Sequence, residues 1–303
     1  MGTSGAGRFA PSPTGSLHLG NLRTALIAWL SARSAGLRFL MRVEDLDRGR
    51  VRPRFEREQL EDLRAIGLDW DGAVVRQSER REGYERAIED LAARDLLYEC
   101  FCSRAEIREA ASAPHGPLPE GAYPGTCRAL GAADVRARRD SGRSPALRLR
   151  AGAVHVAFED RRLGPQSGVV DDFVVRRGDD VPAYNLAVVV DDAAQSVTEV
   201  VRGADLLDTT PRQLLLGRLL GLERPSYAHV PLLLAPDGSR LAKRHGAVTL
   251  RERPEGPAGV LSALAATLGL VDAGEPVTPA LLLERFDPAR LPREPTRLSG
   301  ADL

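Results

Sequence analysis

The sequence predicts an α/β fold in which a parallel sheet is split by an inserted α+β module. Near the N-terminus, a strand, a loop, a helix and a second strand follow one another. The alternation of strands and helices returns after Pro182, and the segment between them differs in composition. A βαβ unit places the loop after its first strand at the carboxyl end of the sheet, where nucleotides usually bind.

The first βαβ unit is defined by its turn residues and its apolar spacing. Residues 7–10 form a short strand candidate, and Asn21 is a good N-cap for the segment LRTALIAWLSARSAG. Apolar residues recur there at three- and four-residue spacings, which predicts a helix, and Gly36 is a plausible stop. LRFLMRVED then predicts the second strand.

Four segments are expected along the chain. Residues 98–180 contain three cysteines, the stretch SAPHGPLPEGAYPG and short β-like runs such as PALRLRA and VHVAFED, which indicates an inserted module. Residues 1–97 and 181–250 are then the two halves of one domain. Residues 251–303 form a short helical segment, since about 50 residues are too few for another large domain.

Composition excludes several classes of protein. The 303 residues include 42 basic and 42 acidic side chains, so a uniformly basic coat for nucleic acid is excluded, although a local basic face is not. Three cysteines are too few for a disulfide framework and suggest a reduced compartment or a metal. No run approaches the roughly 18 apolar residues of a membrane helix, and no leader is evident. We therefore expect a cytoplasmic protein without a membrane partner.

Lysine usage singles out one residue. Of the 42 basic residues, only Lys243 is a lysine. A coding bias that replaces lysine wherever a positive charge suffices explains the arginines. An ammonium is a compact point charge, whereas a guanidinium is a broad planar fork, so the two are not interchangeable at a tight phosphate site. Lys243 is therefore a candidate phosphate ligand.

Two loops carry candidate phosphate-binding residues. The first runs from Pro11 through His18 and Gly20 to Asn21, and a turn that feeds a helix N-terminus offers N–H groups to an anion. Taken alone, it could equally be a strand–helix turn with a surface histidine. The second loop, DGSRLAKRHG, contains Lys243 after an apolar strand, and its alternative is a solvated charged turn.

Taken together, the two loops resemble the two signatures of class I aminoacyl-tRNA synthetases. The stretches RFAPSPTG from Arg8 and RVEDLD from Arg42 resemble the glutamyl-tRNA synthetase branch, over roughly residues 7–250. The resemblance implies a Rossmann-type catalytic domain split by an insertion. The short chain, together with Cys100, Cys102, Tyr123 and Cys127, further resembles the glutamyl-Q tRNA(Asp) synthetases. These enzymes attach glutamate to the queuosine base of tRNA(Asp).

The resemblance and simple charge logic assign site residues. Glutamate offers two carboxylates and an ammonium, so a selective pocket needs guanidinium groups and an acid. Arg8 and Arg202 match positions that face the substrate, and Glu44 would take the ammonium. The remaining residues of the glutamate pocket match Phe9, Ala10, Pro11, Ser12 and Tyr184. ATP would be bound by His18, Gly20, Asn21 and Lys243, with His18 and Lys243 catalytic. Arg240 and Ala242 depart from the usual second signature, Lys-Leu-Ser-Lys.

The cysteines predict one structural zinc site. Cys100, Cys102 and Cys127 provide three soft ligands, and a tetrahedral site requires a fourth ligand. The resemblance nominates Tyr123, whereas His115 is the better ligand on general chemistry. We expect Tyr123, with His115 as the alternative.

The expected activity is tRNA-independent formation of glutamyl-adenylate from L-glutamate and ATP with Mg²⁺, followed by transfer of glutamate to queuosine in the anticodon arm of tRNA(Asp). The expected enzyme is a monomeric ligase. Two alternatives stay open: a truncated glutamyl-tRNA synthetase that charges a tRNA 3′ end, against which the chain length argues, and a catalytically silent RNA-binding paralogue.

Overall fold

The structure is a computed structural model that describes residues 5–111, 122–241 and 248–299. The first βαβ unit is present as predicted. It is followed by further elements, so that the N-terminal part of the chain contains, in order, β1 (Ala6–Phe9), α1 (Leu19–Ser34), β2 (Arg38–Val43), α2 (Pro53–Ala65), β3 (Val75–Arg76) and α3 (Arg81–Ala93).

Helix α1 begins earlier than predicted, and the prediction of Asn21 as its N-cap is wrong. His18 is the N-cap: its backbone is extended, and its Nδ1 accepts a hydrogen bond from the Asn21 backbone N–H at 3.2 Å. The Asn21 side chain in return accepts from the His18 N–H at 3.2 Å. Gly36 follows the helix with a φ of +67°, as a stop requires.

The middle of the chain forms a mixed region of small sheets and helices. Its elements are β4 (Leu97–Cys100), α4 (Arg104–Ala111), α5 (Ala132–Asp140), β5 (Ala146–Leu149), β6 (Val154–Asp160), β7 (Gly164–Val170) and β8 (Val174–Arg176). Strands β4, β5 and β8 form an antiparallel sheet, and β6 and β7 form a hairpin.

The alternating pattern then returns, as the sequence predicts. The remaining elements are α6 (Tyr184–Ala194), β9 (Glu199–Gly203), α7 (Thr210–Leu219), β10 (Ser226–Val230), β11 (Leu233–Leu234), α8 (Gly256–Ala266), α9 (Pro279–Arg285) and β12 (Thr296–Arg297). None of the described helices is long and apolar enough to cross a membrane.

The parallel strands run in the order β3, β2, β1, β9 and β10. A parallel bridge between Ala6 and Val197 joins the two halves, and the Thr198 N–H donates to the Ala6 carbonyl at 2.9 Å. The strand order reverses between β1 and β9, and ligands of such sheets bind in the crevice beyond that switch point. The predicted α/β class with a parallel sheet is confirmed, and the switch point locates the site.

The C-terminal segment packs into the core rather than beside it. Helix α1 is buried on nearly all sides, because the sheet covers one face and α8 and α9 cover another. Strand β12 also pairs with β11. The division of the chain at residues 97, 180 and 250 stays a prediction.

Candidate active site

A cavity of about 670 Å³ opens at the carboxyl ends of β1 and β9. It contains every predicted glutamate- and ATP-binding residue that the structure describes. These are Arg8, Phe9, Ala10, Pro11, Ser12, His18, Gly20, Asn21, Glu44, Tyr184 and Arg202. Residues that are far apart in sequence therefore meet at one site. Lys243 and Ala242 lie in 242–247, outside the described residues.

The capping arrangement fixes the proton on His18. Because Nδ1 accepts from the Asn21 N–H, a neutral His18 carries its proton on Nε2. Burial lowers the pKa of His18, partly offset by Asp205, so the ring is neutral near pH 7. Gly20 permits this close packing, since a Cβ there would lie 3.0 Å from the His18 ring. His18 can therefore donate one hydrogen bond from Nε2 to an anion.

The loop between β1 and α1 is held by a residue that sequence reasoning missed. The Gln59 side chain is buried, and its Nε2 donates to the carbonyls of Ser12 at 3.1 Å and Gly15 at 2.7 Å. The Glu44 N–H donates to the Pro11 carbonyl at 3.0 Å. These bonds fix the loop against β2 and α2 before any ligand binds.

Glu44 directly follows β2 and interacts electrostatically with Arg8 of β1 and Arg42 of β2. Desolvation raises the pKa of Glu44 to about 7, against the opposing effects of Arg42 and Arg8. A carboxyl group with such a pKa is readily ionised by a cation placed beside it. The group therefore suits an ammonium ligand.

Arg8 is held by an ion pair that the sequence did not reveal. Its Nε and Nη2 lie 3.2 and 3.4 Å from the two carboxylate oxygens of Asp192 on α6. Asp192 also accepts from Arg42 Nη2 at 2.7 Å, and Arg42 is fully buried. Although burial opposes ionisation, Arg8 and Arg42 lower the pKa of Asp192. Arg8 therefore shares a buried carboxylate with a second guanidinium.

Arg202, on β9, has neutral partners. Its Nε donates to His229 Nε2 at 3.0 Å, its Nη1 to Gln213 Oε1 at 2.8 Å, and its Nη2 to the Thr210 hydroxyl at 2.8 Å. The Arg202 side chain itself is buried, with 4% exposure. Burial lowers the pKa of Arg202, but a guanidinium stays charged at neutral pH. Among the described residues that line the cavity, Arg202 is therefore the guanidinium without a bonded carboxylate.

The second loop begins and ends next to the first. Arg240 and Leu241 line the cavity, and Arg240 Nη1 lies 3.4 Å from Asp205 Oδ2. On the other side of the loop, the Val248 carbonyl accepts from the Leu19 N–H at 2.8 Å. The chain thus leaves the cavity wall at Leu241 and returns at the start of α1.

The three cysteines lie together as predicted. The Sγ atoms of Cys100, Cys102 and Cys127 all lie within 4.8 Å of one another. The Tyr123 hydroxyl lies 3.3 Å from Cys100 Sγ and 3.7 Å from Cys102 Sγ. His115, the alternative ligand, lies outside the described residues.

This cluster fits a tetrahedral zinc ion. Zinc–sulfur bonds of about 2.3 Å and zinc–oxygen bonds of about 2.0 Å place tetrahedral ligand atoms roughly 3.5–3.8 Å apart. The two distances from the Tyr123 hydroxyl to sulfur, and the 3.4 Å between Cys102 Sγ and Cys127 Sγ, are close to this spacing. The Arg148 guanidinium also lies 3.7 Å from the centre of the Tyr123 ring, a cation–π contact.

The chain is similar to known synthetases over most of its length. The family model described as tRNA synthetases class I (E and Q), catalytic domain, matches residues 6–265. A glutamyl-Q tRNA(Asp) synthetase of Nocardia farcinica is 62% identical over 302 residues, which are 99% of this chain and 94% of that protein. Another, from Symbiobacterium thermophilum, is 54% identical over 96% of this chain and 95% of that protein.

Solved structures agree in the fold. The crystal structure of a glutamate tRNA ligase from Elizabethkingia meningosepticum, in complex with its amino acid, matches with a TM-score of 0.84 at 28% identity. The match covers 99% of this chain and 68% of that one.

Proposed function

This chain belongs to the glutamyl-Q tRNA(Asp) synthetases, within the class I tRNA synthetases for E and Q, and we propose from this membership that it activates glutamate with ATP and transfers it to queuosine in tRNA(Asp). The observation that carries the proposal is the meeting of Arg8, Glu44, His18 and Arg202 in one cavity. The meeting of these four side chains, together with Lys243 in the sequence, argues against a silent RNA-binding paralogue.

Glutamate is proposed to bind between the two arginines. Arg202 takes one carboxylate, because its charge has no bonded carboxylate partner. Glu44 receives the α-ammonium, and Arg8 contributes a second guanidinium. Phe9, Ala10, Pro11, Ser12 and Tyr184 complete the walls.

ATP is proposed to bind over His18, Gly20 and Asn21 at the start of α1. The α-carboxylate oxygen of glutamate attacks the α-phosphorus in line, and pyrophosphate leaves with the electron pair of the broken P–O bond. His18 Nε2–H and Lys243 stabilise the developing negative charge. Mg²⁺ enters with ATP and neutralises phosphate oxygens. Lys243→Arg should impair this step, because a planar fork replaces a point charge.

The acceptor nucleoside is proposed to enter through a neighbouring cavity of about 820 Å³. This cavity shares Ser12, Thr14, Glu44 and Tyr184 with the first and extends to the cysteine cluster. A ribonucleotide loop can present an unstacked base to such a pocket, with arginines along the backbone. A ring hydroxyl of queuosine then attacks the activated carbonyl, and AMP leaves.

The test of function compares RNA acceptors. We expect glutamate-dependent ATP–pyrophosphate exchange without any tRNA. We also expect labelling by radioactive glutamate of tRNA(Asp) that contains queuosine, and of its isolated anticodon arm. Unmodified tRNA(Asp) is the matched control, since it retains only the 3′-terminal diol. Equal labelling of both tRNAs, or efficient charging of tRNA(Glu), would favour a truncated 3′-end synthetase.

One zinc ion per chain is proposed at Cys100, Cys102, Tyr123 and Cys127. It would join the end of β4, in the antiparallel sheet, to the loop that precedes α5. Cys127→Ser should lose zinc in metal analysis and lower the melting temperature, since a structural zinc contributes folding free energy. Tyr123→Phe should also lose zinc, with Tyr98→Phe as the matched control. Zinc loss in His115→Ala, with retention in Tyr123→Phe, would transfer the role to His115.

We also propose that residues 98–180 form the inserted module between residues 1–97 and 181–250, with residues 251–303 as a C-terminal helical segment. The protein is further proposed to be a cytoplasmic monomer. Light scattering during gel filtration measures the mass against the 32.7 kDa of one chain. A dimer mass would contradict the monomer.

A further inference from the structure

A row of buried polar groups lies behind Arg202. Arg202 Nε donates to His229 Nε2 at 3.0 Å, and His229 Nδ1 lies 2.6 Å from Asp160 Oδ2. His229 is 0% exposed and Asp160 is 1% exposed, so both are shielded from water. The family resemblance assigned no role to either residue.

The hydrogen bonds determine the protonation of His229. Arg202 has only donors, so His229 Nε2 must accept and its proton must lie on Nδ1, which donates to Asp160. Burial lowers the pKa of His229; Arg202 and Arg8 lower it further, and only the contact with Asp160 raises it. The Thr210 hydroxyl, 3.2 Å from Nε2, and the stacked Tyr227 ring add no charge at neutral pH. His229 is therefore neutral near pH 7.

Asp160 is itself fixed by the backbone. Its Oδ1 accepts from the N–H groups of Arg162 and Leu163, each at 3.0 Å, in the turn between β6 and β7. Strand β6 pairs with β10 at Asp160 and Tyr227, two residues before His229. A segment that the sequence places in the inserted module thus contacts His229, the residue directly behind Arg202.

This arrangement solves an electrostatic problem. A buried guanidinium must have hydrogen-bond acceptors, but a carboxylate in direct contact would neutralise the charge that a ligand needs. A neutral imidazole supplies the acceptor and leaves the charge. The negative charge of Asp160 lies one ring further away, where it fixes the tautomer.

We propose that His229 is a positioning residue for glutamate binding, and that Asp160 fixes its tautomer: together they orient Arg202 while leaving its charge for a substrate carboxylate. The inference rests on the proposed function, because it assumes that Arg202 meets glutamate.

Two substitutions separate the two hydrogen bonds of His229. In His229→Gln, the amide oxygen can take the place of Nε2 and accept from Arg202. In His229→Asn, the shorter side chain reaches only the place of Nδ1 and leaves Arg202 without this acceptor. We expect His229→Asn to raise the KM for glutamate roughly tenfold to a hundredfold. The kcat and the KM for ATP should change less than about threefold. His229→Gln should restore most of the glutamate affinity.

Glutamate-dependent pyrophosphate exchange gives these constants, and titration calorimetry gives glutamate affinity without chemistry. In an Arg202→Ala background, His229→Asn should cause no further loss, since it acts through Arg202. Three results would overturn this inference but not the proposed function. They are an unchanged glutamate affinity in His229→Asn, equal losses of affinity in His229→Asn and His229→Gln, and additive losses in the double variant with Arg202→Ala. A parent protein that does not bind glutamate would overturn the proposed function as well.

The tautomer has its own readout. In ¹⁵N-histidine NMR spectra, His229 should carry its proton on Nδ1, whereas His18, whose Nδ1 accepts from Asn21, should carry its proton on Nε2. A protonated or Nε2–H form of His229 at neutral pH would contradict the proposal.

Discussion

Arg8 and Arg202 enter the same cavity from the two strands that flank the switch point, but they are held in opposite ways. Arg8 contacts the carboxylate of Asp192, which it shares with the buried Arg42. Arg202 contacts an imidazole, an amide and a hydroxyl. One wall therefore carries a guanidinium bonded to a shared carboxylate, and the other a guanidinium whose bonded partners are uncharged.

The difference separates stability from binding. A buried ion pair keeps two charges from being stranded, and removal of one partner is strongly destabilising. A buried cation with neutral partners remains an attractive site for an anion in a medium of low dielectric constant. The Arg8 wall is therefore expected to stabilise the domain, and the Arg202 wall to supply most of the carboxylate affinity.

The largest expected effect is on glutamate binding by Arg202→Ala. Loss of a desolvated charge pair costs roughly 2–5 kcal/mol, so the KM for glutamate in pyrophosphate exchange should rise roughly 30-fold to several thousand-fold. Arg57→Ala, on the exposed face of α2, is the matched control and should leave the KM unchanged. A larger increase in the KM for glutamate in Arg8→Ala than in Arg202→Ala would mean that Arg8, and not Arg202, supplies most of the carboxylate affinity.

The next effect concerns stability on the Arg8 wall. Asp192→Asn leaves Arg8 and Arg42 with less compensating charge, and the free energy of unfolding should fall by about 3 kcal/mol in urea titrations. Because the pKa of Asp192 is lowered in the folded protein, its contribution is present above about pH 4 and lost in acid.

Asp205→Asn is the control for this measurement. Asp205 lines the same cavity, but its partner Arg240 is 72% exposed, so the loss should stay below about 1 kcal/mol. Equal losses in the two variants would mean that the buried pair has no special role in stability.

The smallest expected effect is a pH dependence from Glu44, which faces the Arg8 wall. With a pKa of about 7, Glu44 loses its charge as the pH falls, and a neutral carboxyl binds an ammonium weakly. Glutamate affinity measured by calorimetry should therefore drop roughly tenfold from about pH 8 to about pH 6. Glu44→Gln should flatten the profile. A profile that is flat in the parent would show that Glu44 does not meet the ammonium.

Much of the fold follows from local pattern. The strand before the first loop, the helix that ends near Gly36 and the return of alternation after Pro182 are all present. The N-cap was misassigned because asparagine is the commoner cap, whereas His18 caps through Nδ1 and Asn21 bonds back to it. This reciprocal pair depends on the path of the preceding loop, which composition does not specify.

The residues that support the site were missed for a different reason. Asp192 lies 184 residues from Arg8, and His229 lies 69 residues from Asp160. A weak signal existed: both Asp192 and His229 interrupt apolar runs, AVVVDDA and AHVPLLL, where a polar side chain must find a buried partner. Such a signal indicates that a partner exists but does not identify it.

The sequence by itself determined the α/β class, the loops that carry His18 and Lys243 and the cysteine cluster, because these depend on periodicity, turn chemistry and motif spacing. The predicted residues of the cavity followed from the family resemblance and from charge logic. Only the tertiary structure decided which groups are bonded to each arginine, and therefore how much of its charge is compensated. These groups are brought within hydrogen-bond distance by the switch point, by helix α6 and by the pairing of β6 with β10. The strength of an electrostatic interaction depends on distance and burial rather than on order along the chain.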